Sequence, residues 1–342
     1  MLVRDIGEFG LISALRDALP AAARASPAVT LGIGDDAATW RPPADASVVI
    51  STDSLVEGIH FRLDAGWSDW SSLGHKALAV NLSDLAAMGA TPALATVSLG
   101  LRGDEAVGDL AAAYRSLGDL AVQYGCVVAG GDVVASPGAV LWHVTVLGVA
   151  PGGRTLTRAG ARPGDVIVVS GTLGASAAGL ALLGTAPDDP RRRAASADLL
   201  ISAHLRPAPR LALGQLLLEQ GATAAMDLSD GLLGDLPKIL RASGVAAEID
   251  EGAVPVAAAV RALFPDRWLA LATTGGEDYE LLATLPPERA SSIIDRAAEV
   301  GSTLTAIGTI LPRTGGQADL RSRSLDGHVQ PVAHGAFDHF RQ

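Results

Sequence analysis

Apolar and polar positions in the first 150 residues follow helical and strand periods in turn. Helical spacing predicts a helix from Gly7 to Leu19 with Phe9, Ile12, Leu15 and Leu19 on one face. The same reading predicts helices over residues 73–88 and 105–124, and strands over residues 48–52, 91–101, 127–129 and 142–149. This β-α-β alternation indicates a mixed α/β domain.

A second series of elements begins after Pro151-Gly152-Gly153-Arg154, a stretch that is typical of a linker. The pattern predicts strands over residues 166–170 and up to Asp227, and helices over residues 211–219 and 231–241. We therefore expect two α/β domains, one over residues 1–150 and one over residues 151–342.

Composition limits the partners that this chain of 342 residues can have. Hydrophobic residues make up 49% and the net charge is −11, so we expect a packed globular protein without a basic nucleic-acid surface. An anionic substrate on such a chain needs bound cations. The single cysteine, Cys126, excludes a disulfide within the chain and a cysteine-based zinc site.

Two stretches bear on targeting and membranes. Arg4, Asp5 and Glu8 stand where a signal peptide has apolar residues. The longest uncharged stretch, residues 166–187, is interrupted by small residues and glycines, so we expect no membrane span. A reducing, cytoplasmic setting is consistent with both observations and with the single cysteine.

Six short acidic motifs stand where apolar runs give way to small residues, and the pattern predicts turns there. They are GIGDDAA from Gly32, STDSLVEGIHF from Ser51, NLSDLAAMG from Asn81, GGD ending at Asp132, DLSDG from Asp227 and GGEDYE from Gly275. Mg²⁺ prefers oxygen ligands and holds polyphosphates through only one or two carboxylates per ion. Because no Walker lysine is present, the set indicates phosphoryl transfer assisted by metals.

Each motif alone also has an ordinary structural interpretation. Asp84, between Leu82 and Leu85 in an apolar helix pattern, is either part of an exposed stripe or a carboxylate with a partner or metal. Asp227 and Asp230, at a strand-to-helix junction, suit either a helix cap or phosphate with its metals. Polar turns, caps and close-packed glycines equally account for Asp35–Asp36, Ser51–Asp53, Gly130–Asp132 and Glu277–Asp278.

The motifs in their order closely resemble the thiamine-monophosphate kinase family, within the aminoimidazole-ribonucleotide synthetase-like ATP-binding superfamily. The stretches HKALAVNLSDLAAMGA, LTRAGARPGD, HLRPAPR and the terminal FDHF add to the resemblance, which covers almost the whole chain. It implies a two-domain α/β (α+β) fold of the synthetase-like type. Residues 1–150 would then bind ATP and Mg²⁺ and dimerise through a shared β-barrel, and residues 151–342 would form a C-terminal α/β domain.

The resemblance also implies site residues. Those matching metal ligands are Asp36, Ser51, Thr52, Asp53, Asp84, Asp132, Asp227 and Asp230. Those matching ATP contacts are Tyr114, Gly131, Asp132, Arg158 and Ser229, and those at substrate positions are His60, Glu277 and His334. Asp84 and Asp230 are the most critical, and no dedicated catalytic base is implied. His334 stands where the family usually has a tryptophan, so the third substrate contact departs from the pattern.

The implied reaction is ATP-dependent, Mg²⁺-assisted in-line phosphorylation of thiamine monophosphate to thiamine diphosphate with release of ADP. It is the last step of thiamine diphosphate biosynthesis, carried out by a cytoplasmic homodimer. Two alternatives remain open: another ATP-dependent enzyme of the superfamily, and a non-catalytic nucleotide or Mg²⁺ sensor. Selenophosphate synthetase and the hydrogenase-maturation enzyme fit less well, because their N-terminal and C-terminal cysteines have no counterpart here.

Overall fold

The computed structural model describes residues 1–315 and 319–332, and these residues fall into two compact units. The first comprises Met1–Leu85 and Ala90–Arg154. The second comprises Ala86–Gly89 and the chain from Thr155 onward. No helix of the described residues has both the length and the apolar character needed to cross a membrane.

The first unit is built on a four-stranded sheet. Its elements are α1 (Val3–Ala18), β1 (Val29–Leu31), β2 (Thr39–Trp40), β3 (Ala46–Val56), α2 (Trp70–Ala87, whose last two residues belong to the second unit), β4 (Thr91–Leu101), α3 (Val107–Gln123), β5 (Val127–Ala135) and β6 (Leu141–Pro151). The sheet order is β3-β6-β4-β5, with β4 and β5 parallel and the other pairs antiparallel. The helix α3 therefore makes the crossover that a parallel strand pair requires.

Two strands of this sheet extend beyond their predicted ends. Pairing of β3 with β6 continues from Ala46 to Val56, so Ser51, Thr52 and Asp53 lie inside a strand. Asp132 likewise lies inside β5, opposite Ser98 of β4. The prediction that these motifs form turns was wrong, because backbone pairing with the neighbouring strand continues through the polar residues.

The predicted helices of the first unit form, and one predicted face is wrong. The core face of α2 carries Leu78, Leu82 and Leu85, which are all fully buried. In α1, by contrast, Phe9 is 83% exposed while Leu11 is buried. Residues that are two positions apart in a helix lie about 200° apart around its axis. A helix that buries Leu11 therefore turns Phe9 outward.

The second unit contains a seven-stranded mixed sheet. Its helices are α4 (Ala175–Leu183), α5 (Ala197–Leu205), α6 (Leu211–Gln220), α7 (Leu232–Ser243), α8 (Ala258–Leu263), α9 (Trp268–Thr274) and α10 (Pro287–Arg296). Its strands are β7 (Val166–Ser170), β8 (Ala224–Asp227), β9 (Ala246–Asp250), β10 (Leu281–Leu285), β11 (Leu304–Leu311), β12 (Leu320–Arg323) and β13 (Val329–Pro331). The strand order is β13-β12-β9-β11-β7-β10-β8.

Burial in the second unit explains why its central strands are almost wholly apolar. Every residue of β10 is buried, as expected for a strand covered on both faces. The core includes Ile167, Met226 and Leu282 of neighbouring strands together with Leu236 and Ile239 of α7. This packing fixes the point where β8 ends at Asp227 and the following turn leads into α7.

Candidate functional site

One face of β3 brings three of the predicted metal ligands together. Ser51 and Asp53 lie on the same face because side chains alternate along a strand. The Ser51 hydroxyl donates a hydrogen bond of 2.5 Å to the Asp84 carboxylate of α2. Desolvation of the Asp53 carboxyl, followed by repulsion from Asp84, raises its pKa to about 6, although nearby His143 acts to lower it. Two carboxylates so placed favour a cation between them.

Thr52 has the opposite orientation. Its hydroxyl donates to the Val144 carbonyl at 3.1 Å and lies 2.9 Å from the Thr145 hydroxyl and 3.0 Å from Nε2 of His143. This hydroxyl therefore belongs to the other face of the sheet from Ser51 and Asp53. The predicted role of Thr52 as a metal ligand stays a prediction.

A buried amide side chain lies one helical turn before Asp84 on α2. Asn81 precedes Asp84 by one helical turn, and its side-chain nitrogen donates to the Ala77 carbonyl at 3.0 Å. Its Oδ1 is buried and has no hydrogen-bond partner in the described part of the chain. A buried acceptor of this kind is usually satisfied by water or an ion.

The donors present fit Mg²⁺. Hydroxyl, amide and carboxylate oxygens of Ser51, Asn81, Asp53 and Asp84 are the ligand types that this ion prefers. Over residues 1–315 and 319–332, no three His, Cys, Asp or Glu side chains form a ready metal cage. Mg²⁺ commonly takes one or two carboxylates and completes its shell with phosphate and water oxygens.

Three predicted nucleotide contacts line one small cavity beside β5. It measures about 60 Å³, and its walls include Tyr114, Gly131 and Asp132 together with Arg16 of α1. Pockets that enclose small ligands usually measure about 300–1,000 Å³, so this cavity alone is too small to enclose a nucleotide. Tyr114 is buried, and burial raises the pKa of its phenol, which stays protonated.

Gly131 has a structural reason to be glycine. A Cβ at this position would lie 1.8 Å from the Val97 carbonyl oxygen of β4. Asp132 follows directly, and its Oδ1 accepts a hydrogen bond of 2.9 Å from the Val133 amide.

The remaining predicted residues of the first unit lie in loops. Asp36 is exposed between β1 and β2, and its amide donates to Asp35 Oδ1 at 2.9 Å. Gly34 adopts a φ of +124°, which requires glycine. His60 is half-buried after β3, and its Nδ1 accepts a hydrogen bond of 3.1 Å from the Val56 amide. The structure does not gather Asp36 with Asp53 and Asp84 into one group of three.

In the second unit, a buried carboxylate orders the DLSDG turn. Asp235 of α7 is fully buried and accepts hydrogen bonds from the Ser229 amide at 3.0 Å and the Asp230 amide at 2.9 Å. Its other oxygen accepts a bond of 2.7 Å from Lys238. Burial raises the pKa of Asp235, although Lys238 and the backbone bonds oppose the rise.

Lys238 also bonds to a predicted metal ligand. Its ammonium group donates to Asp230 Oδ2 at 2.6 Å. Burial lowers the pKa of Lys238, but its bonds to Asp230 and Asp235 outweigh this effect and the net shift is upward. Asp230 therefore already forms an ion pair with the cationic side chain of Lys238. Sequence reasoning missed Asp235 and Lys238, although their three-residue spacing on a predicted helix was a visible signal.

The GGEDYE loop lies against this turn. The Glu277 amide donates to the Ser229 carbonyl at 2.8 Å, and the Tyr279 amide donates to the Leu228 carbonyl at 2.9 Å. Asp227, at the end of β8, is buried. The structure thus brings Asp227, Ser229, Asp230 and Glu277 to neighbouring backbone segments.

Two other predicted contacts stand apart from this arrangement. Arg158 is exposed, and its carbonyl accepts a hydrogen bond of 3.2 Å from the Ser243 hydroxyl. His334 lies outside the described residues. The roles predicted for both residues stay predictions.

Comparison with known proteins identifies the family of this chain. Residues 34–150 match the AIR synthase related protein, N-terminal domain, and residues 162–321 match the corresponding C-terminal domain. A thiamine-monophosphate kinase of Escherichia coli O157:H7 is 42% identical over 336 residues, which cover 98% of each chain.

Solved structures agree with this relationship. The thiamine-monophosphate kinase of Stenotrophomonas maltophilia K279a aligns with a TM-score of 0.80 at 36% identity, over 92% of this chain and 96% of that one. The structure of AaThiL complexed with AMPPCP and TMP aligns with a TM-score of 0.75 at 31% identity, over 99% of both chains. The expected two-domain α/β fold is therefore confirmed. The chain belongs to the thiamine-monophosphate kinase family of AIR synthase related proteins.

Proposed function

We propose that this chain transfers the γ-phosphoryl group of ATP directly to the phosphate of thiamine monophosphate, releasing ADP and thiamine diphosphate. One observation carries the proposal: a relative that aligns over 99% of both chains is a complex with AMPPCP and TMP. AMPPCP retains the adenosine and three phosphoryl groups of ATP. That relative therefore binds an analogue of the phosphoryl donor together with the acceptor. The oxygen-rich face of β3 and the glycine at the β5 cavity suit the same chemistry.

The acceptor explains why no general base is needed. A phosphate monoester is already anionic at neutral pH, so no proton must be removed before its oxygen attacks. Phosphoryl transfer depends mainly on in-line positioning and on neutralising charge. The proposed site accordingly offers metal ligands and backbone amides. This chemistry needs no dedicated catalytic base.

The acidic residues would hold the metal ions. Asp53 and Asp84, with the Ser51 hydroxyl, form one donor group, and Asp227 and Asp230 form another. Mg²⁺ bound there would supply positive charge that offsets the repulsion between the two phosphates. In the second group, Lys238 already balances part of the charge on Asp230.

The substrates meet different chemistry at their two ends. The Gly131 backbone at the β5 cavity would meet a phosphate group, and Arg158 exposes a guanidinium group that suits a phosphate oxygen. Glu277 offers a carboxylate to the positively charged thiamine rings, with His60 and His334 as the other proposed substrate contacts.

The proposal includes a homodimer formed by residues 1–150. Support comes from β3, an eleven-residue strand at the edge of the four-stranded sheet, with Val48 and Ile50 exposed along it. An uncovered edge of this length is a template for pairing with a second chain. A cytoplasmic setting belongs to the same proposal, since ATP is the donor and Cys126 is a buried thiol.

The first experiment is an assay of the purified chain with ATP, Mg²⁺ and thiamine monophosphate. ADP and thiamine diphosphate are quantified together by chromatography, with free thiamine as the control acceptor. We expect equal amounts of both products and none of the diphosphate from free thiamine. ATP binding without either product would support the nucleotide sensor, and ADP formation without thiamine diphosphate would support another enzyme of the superfamily.

Asp84→Asn tests the metal face in the same assay. The substitution keeps the side-chain shape and removes a charge, so turnover should fall by about 100-fold or more, as when a charge-stabilising group is removed. Repulsion with Asp53 also disappears, so the melting temperature should not fall. Ser54→Ala, on the opposite face of β3, is the control and should retain activity. Full activity in Asp84→Asn would refute the metal role of this carboxylate.

A further inference from the structure

The loop that carries Glu277 is held in an unusual backbone conformation. We call Gly275–Glu280 the acidic loop. Within the described chain, Glu277 (φ +65°) and Tyr279 (φ +51°) are the two residues other than glycine with positive φ. Such conformations persist where the surroundings hold them, and they concentrate at functional sites. The direction of the Glu277 side chain is thus imposed by its neighbours.

A buried histidine lies directly behind the Glu277 carboxylate. Nδ1 of His204 is 3.2 Å from Glu277 Oε2 and 3.0 Å from the Ser176 hydroxyl oxygen. The His204 side chain is 6% exposed, whereas that of Glu277 is 24% exposed. One side of the carboxylate therefore contacts the interior while the rest remains accessible.

The chemistry of this contact fixes the tautomer that stabilises it. A carboxylate oxygen only accepts, so Nδ1 must carry the proton to bond with it. An N–H donor at this position orients Glu277 Oε2 through one directional bond.

The segment that supplies His204 is attached to the acidic loop at both ends. We call His204–Arg210 the proline segment. His204 contacts Glu277 at one end, and Arg210 makes two bonds to Glu280 at the other, of 2.8 and 2.5 Å. Paired, two-point bonds of this kind fix orientation as well as distance. The proline segment, which the proposed reaction does not otherwise use, thus braces the acidic loop.

We propose that His204 is a positioning residue that sets the direction of the Glu277 carboxylate for the positively charged rings of the phosphoryl acceptor. This inference rests on the proposed function and names the part of the site that governs acceptor affinity. His204 itself does not touch the acceptor. Its loss should weaken acceptor binding and leave ATP binding and the chemical step largely unchanged.

Two single variants of His204 test the geometry of the bond. His204→Asn keeps a donor near the position of Nδ1, while His204→Gln moves its donor toward the position of Nε2. Binding of thiamine monophosphate to the full chain is measured by calorimetry, with KM for both substrates, kcat and melting temperature. We expect His204→Gln to raise Kd and KM for thiamine monophosphate about tenfold, the effect of about 1.4 kcal/mol. KM for ATP and kcat should change by less than about twofold, and His204→Asn should recover most of the affinity.

Ser176→Ala is the variant that leaves the imidazole itself in place. It removes the hydroxyl 3.0 Å from Nδ1 and should raise Kd for thiamine monophosphate by a smaller factor of about three. In the double variant His204→Gln with Glu277→Gln, affinity should be no lower than in Glu277→Gln alone, because the two residues act as one unit. Ser176→Ala keeps the test decisive if a His204 variant does not fold.

Other outcomes would overturn the inference. These are unchanged acceptor affinity in a folded His204→Gln, equal loss in His204→Asn and His204→Gln, or full acceptor affinity in Glu277→Gln. Failure of the proposed function looks different, because the unaltered chain would then form no thiamine diphosphate. A chain that forms thiamine diphosphate, and in which only Glu277→Gln loses affinity, would refute the positioning role alone.

Discussion

At the scale of single residues, the adjacent glycines Gly130 and Gly131 offer a matched test of packing. A Cβ at Gly131 would lie 1.8 Å from the Val97 carbonyl oxygen, whereas at Gly130 its nearest contact is 4.0 Å away at Thr96. We expect Gly131→Ala to lower the free energy of unfolding by about 1–3 kcal/mol, the usual cost of overpacking. Urea unfolding followed by circular dichroism measures the change.

Gly130→Ala is the control for this prediction. An ordinary contact distance allows the added methyl group, so its unfolding midpoint should stay close to that of the unaltered chain. If Gly131→Ala were as stable as Gly130→Ala but failed to bind ATP, the glycine would serve the nucleotide alone. Equal stability with normal ATP binding would show that β4 and β5 separate easily at this point.

Candidate site residues could be recognised in the sequence where one short motif contained them all. Their hydrogen-bond partners on distant elements could not. The acids of DLSDG were recognisable, but Asp235 and Lys238, which hold the turn, depend on how α7 packs onto it. His204 likewise belongs to a distant element, because it lies on α5, far from Glu277 along the chain. Short motifs show candidate ligand atoms in the sequence, whereas the side chains that hydrogen-bond to those motifs come together only through packing.

At the scale of elements, the acidic loop also caps the first turn of the helix α4. Both oxygens of Asp278 accept hydrogen bonds at the start of α4, from the Gly174 amide at 2.7 Å and the Ser176 amide at 3.1 Å. Such bonds satisfy amides that a first helical turn leaves open. Asp278 therefore links the conformation of the loop to the beginning of α4.

The pH dependence of stability should report this carboxyl. Burial, partly opposed by the amides of Gly174 and Ser176, raises the pKa of Asp278 to about 7. The native state then keeps a proton that the unfolded chain releases near pH 4, so stability falls as pH rises from about 4 to about 7. The slope for one proton is at most about 1.4 kcal/mol per pH unit.

Asp278→Asn should remove this contribution. The amide has nearly the same shape and does not titrate, so its unfolding free energy should depend less on pH in that interval. Asp189→Asn is the control, because hydrogen bonds with Arg191 lower the pKa of Asp189 to about 2, outside the interval. Urea unfolding at half-unit steps of pH gives both profiles. Parallel profiles for Asp278→Asn and the unaltered chain would contradict the assignment.

Element boundaries illustrate a second limit of sequence reading. The strand predicted over residues 91–101 coincides with β4, because its apolar pattern runs to both ends. The strand predicted over residues 48–52 stops short of β3, which continues to Val56 through four consecutive polar residues, Ser51–Ser54. Pairing with β6 satisfies the backbone there, and that partner is invisible in a local pattern.

At the scale of the whole molecule, charge explains why cations belong to the proposed function. The chain carries a net charge of −11, and its acidic motifs occur in both units. Two anionic substrates must nevertheless be brought together on it. Lys238, on Asp230, offsets only part of this charge at one motif. Metal ions that arrive with ATP would reduce the repulsion at every acidic motif at once.

The oligomeric state of the chain depends on the exposed edge of β3. Ile50 is 64% exposed and Val48 is 41% exposed on this strand, and both become buried if a second copy pairs with the edge. Charged side chains on sheet edges are a common means of preventing such pairing. We therefore expect Ile50→Lys to convert a dimer into a monomer of 34.7 kDa, as measured by light scattering after gel filtration.

Leu199→Lys separates this effect from a general loss of apolar surface. Leu199 lies on α5 of the second unit and is 70% exposed, so the same change there should leave the mass that of a dimer. Melting temperatures of both variants show whether the fold itself persists. If Ile50→Lys kept the mass of the unaltered chain, β3 would not be the dimer contact. If the unaltered chain already had the mass of a monomer, the proposed homodimer would be wrong, and residues 1–150 would have to act without a partner.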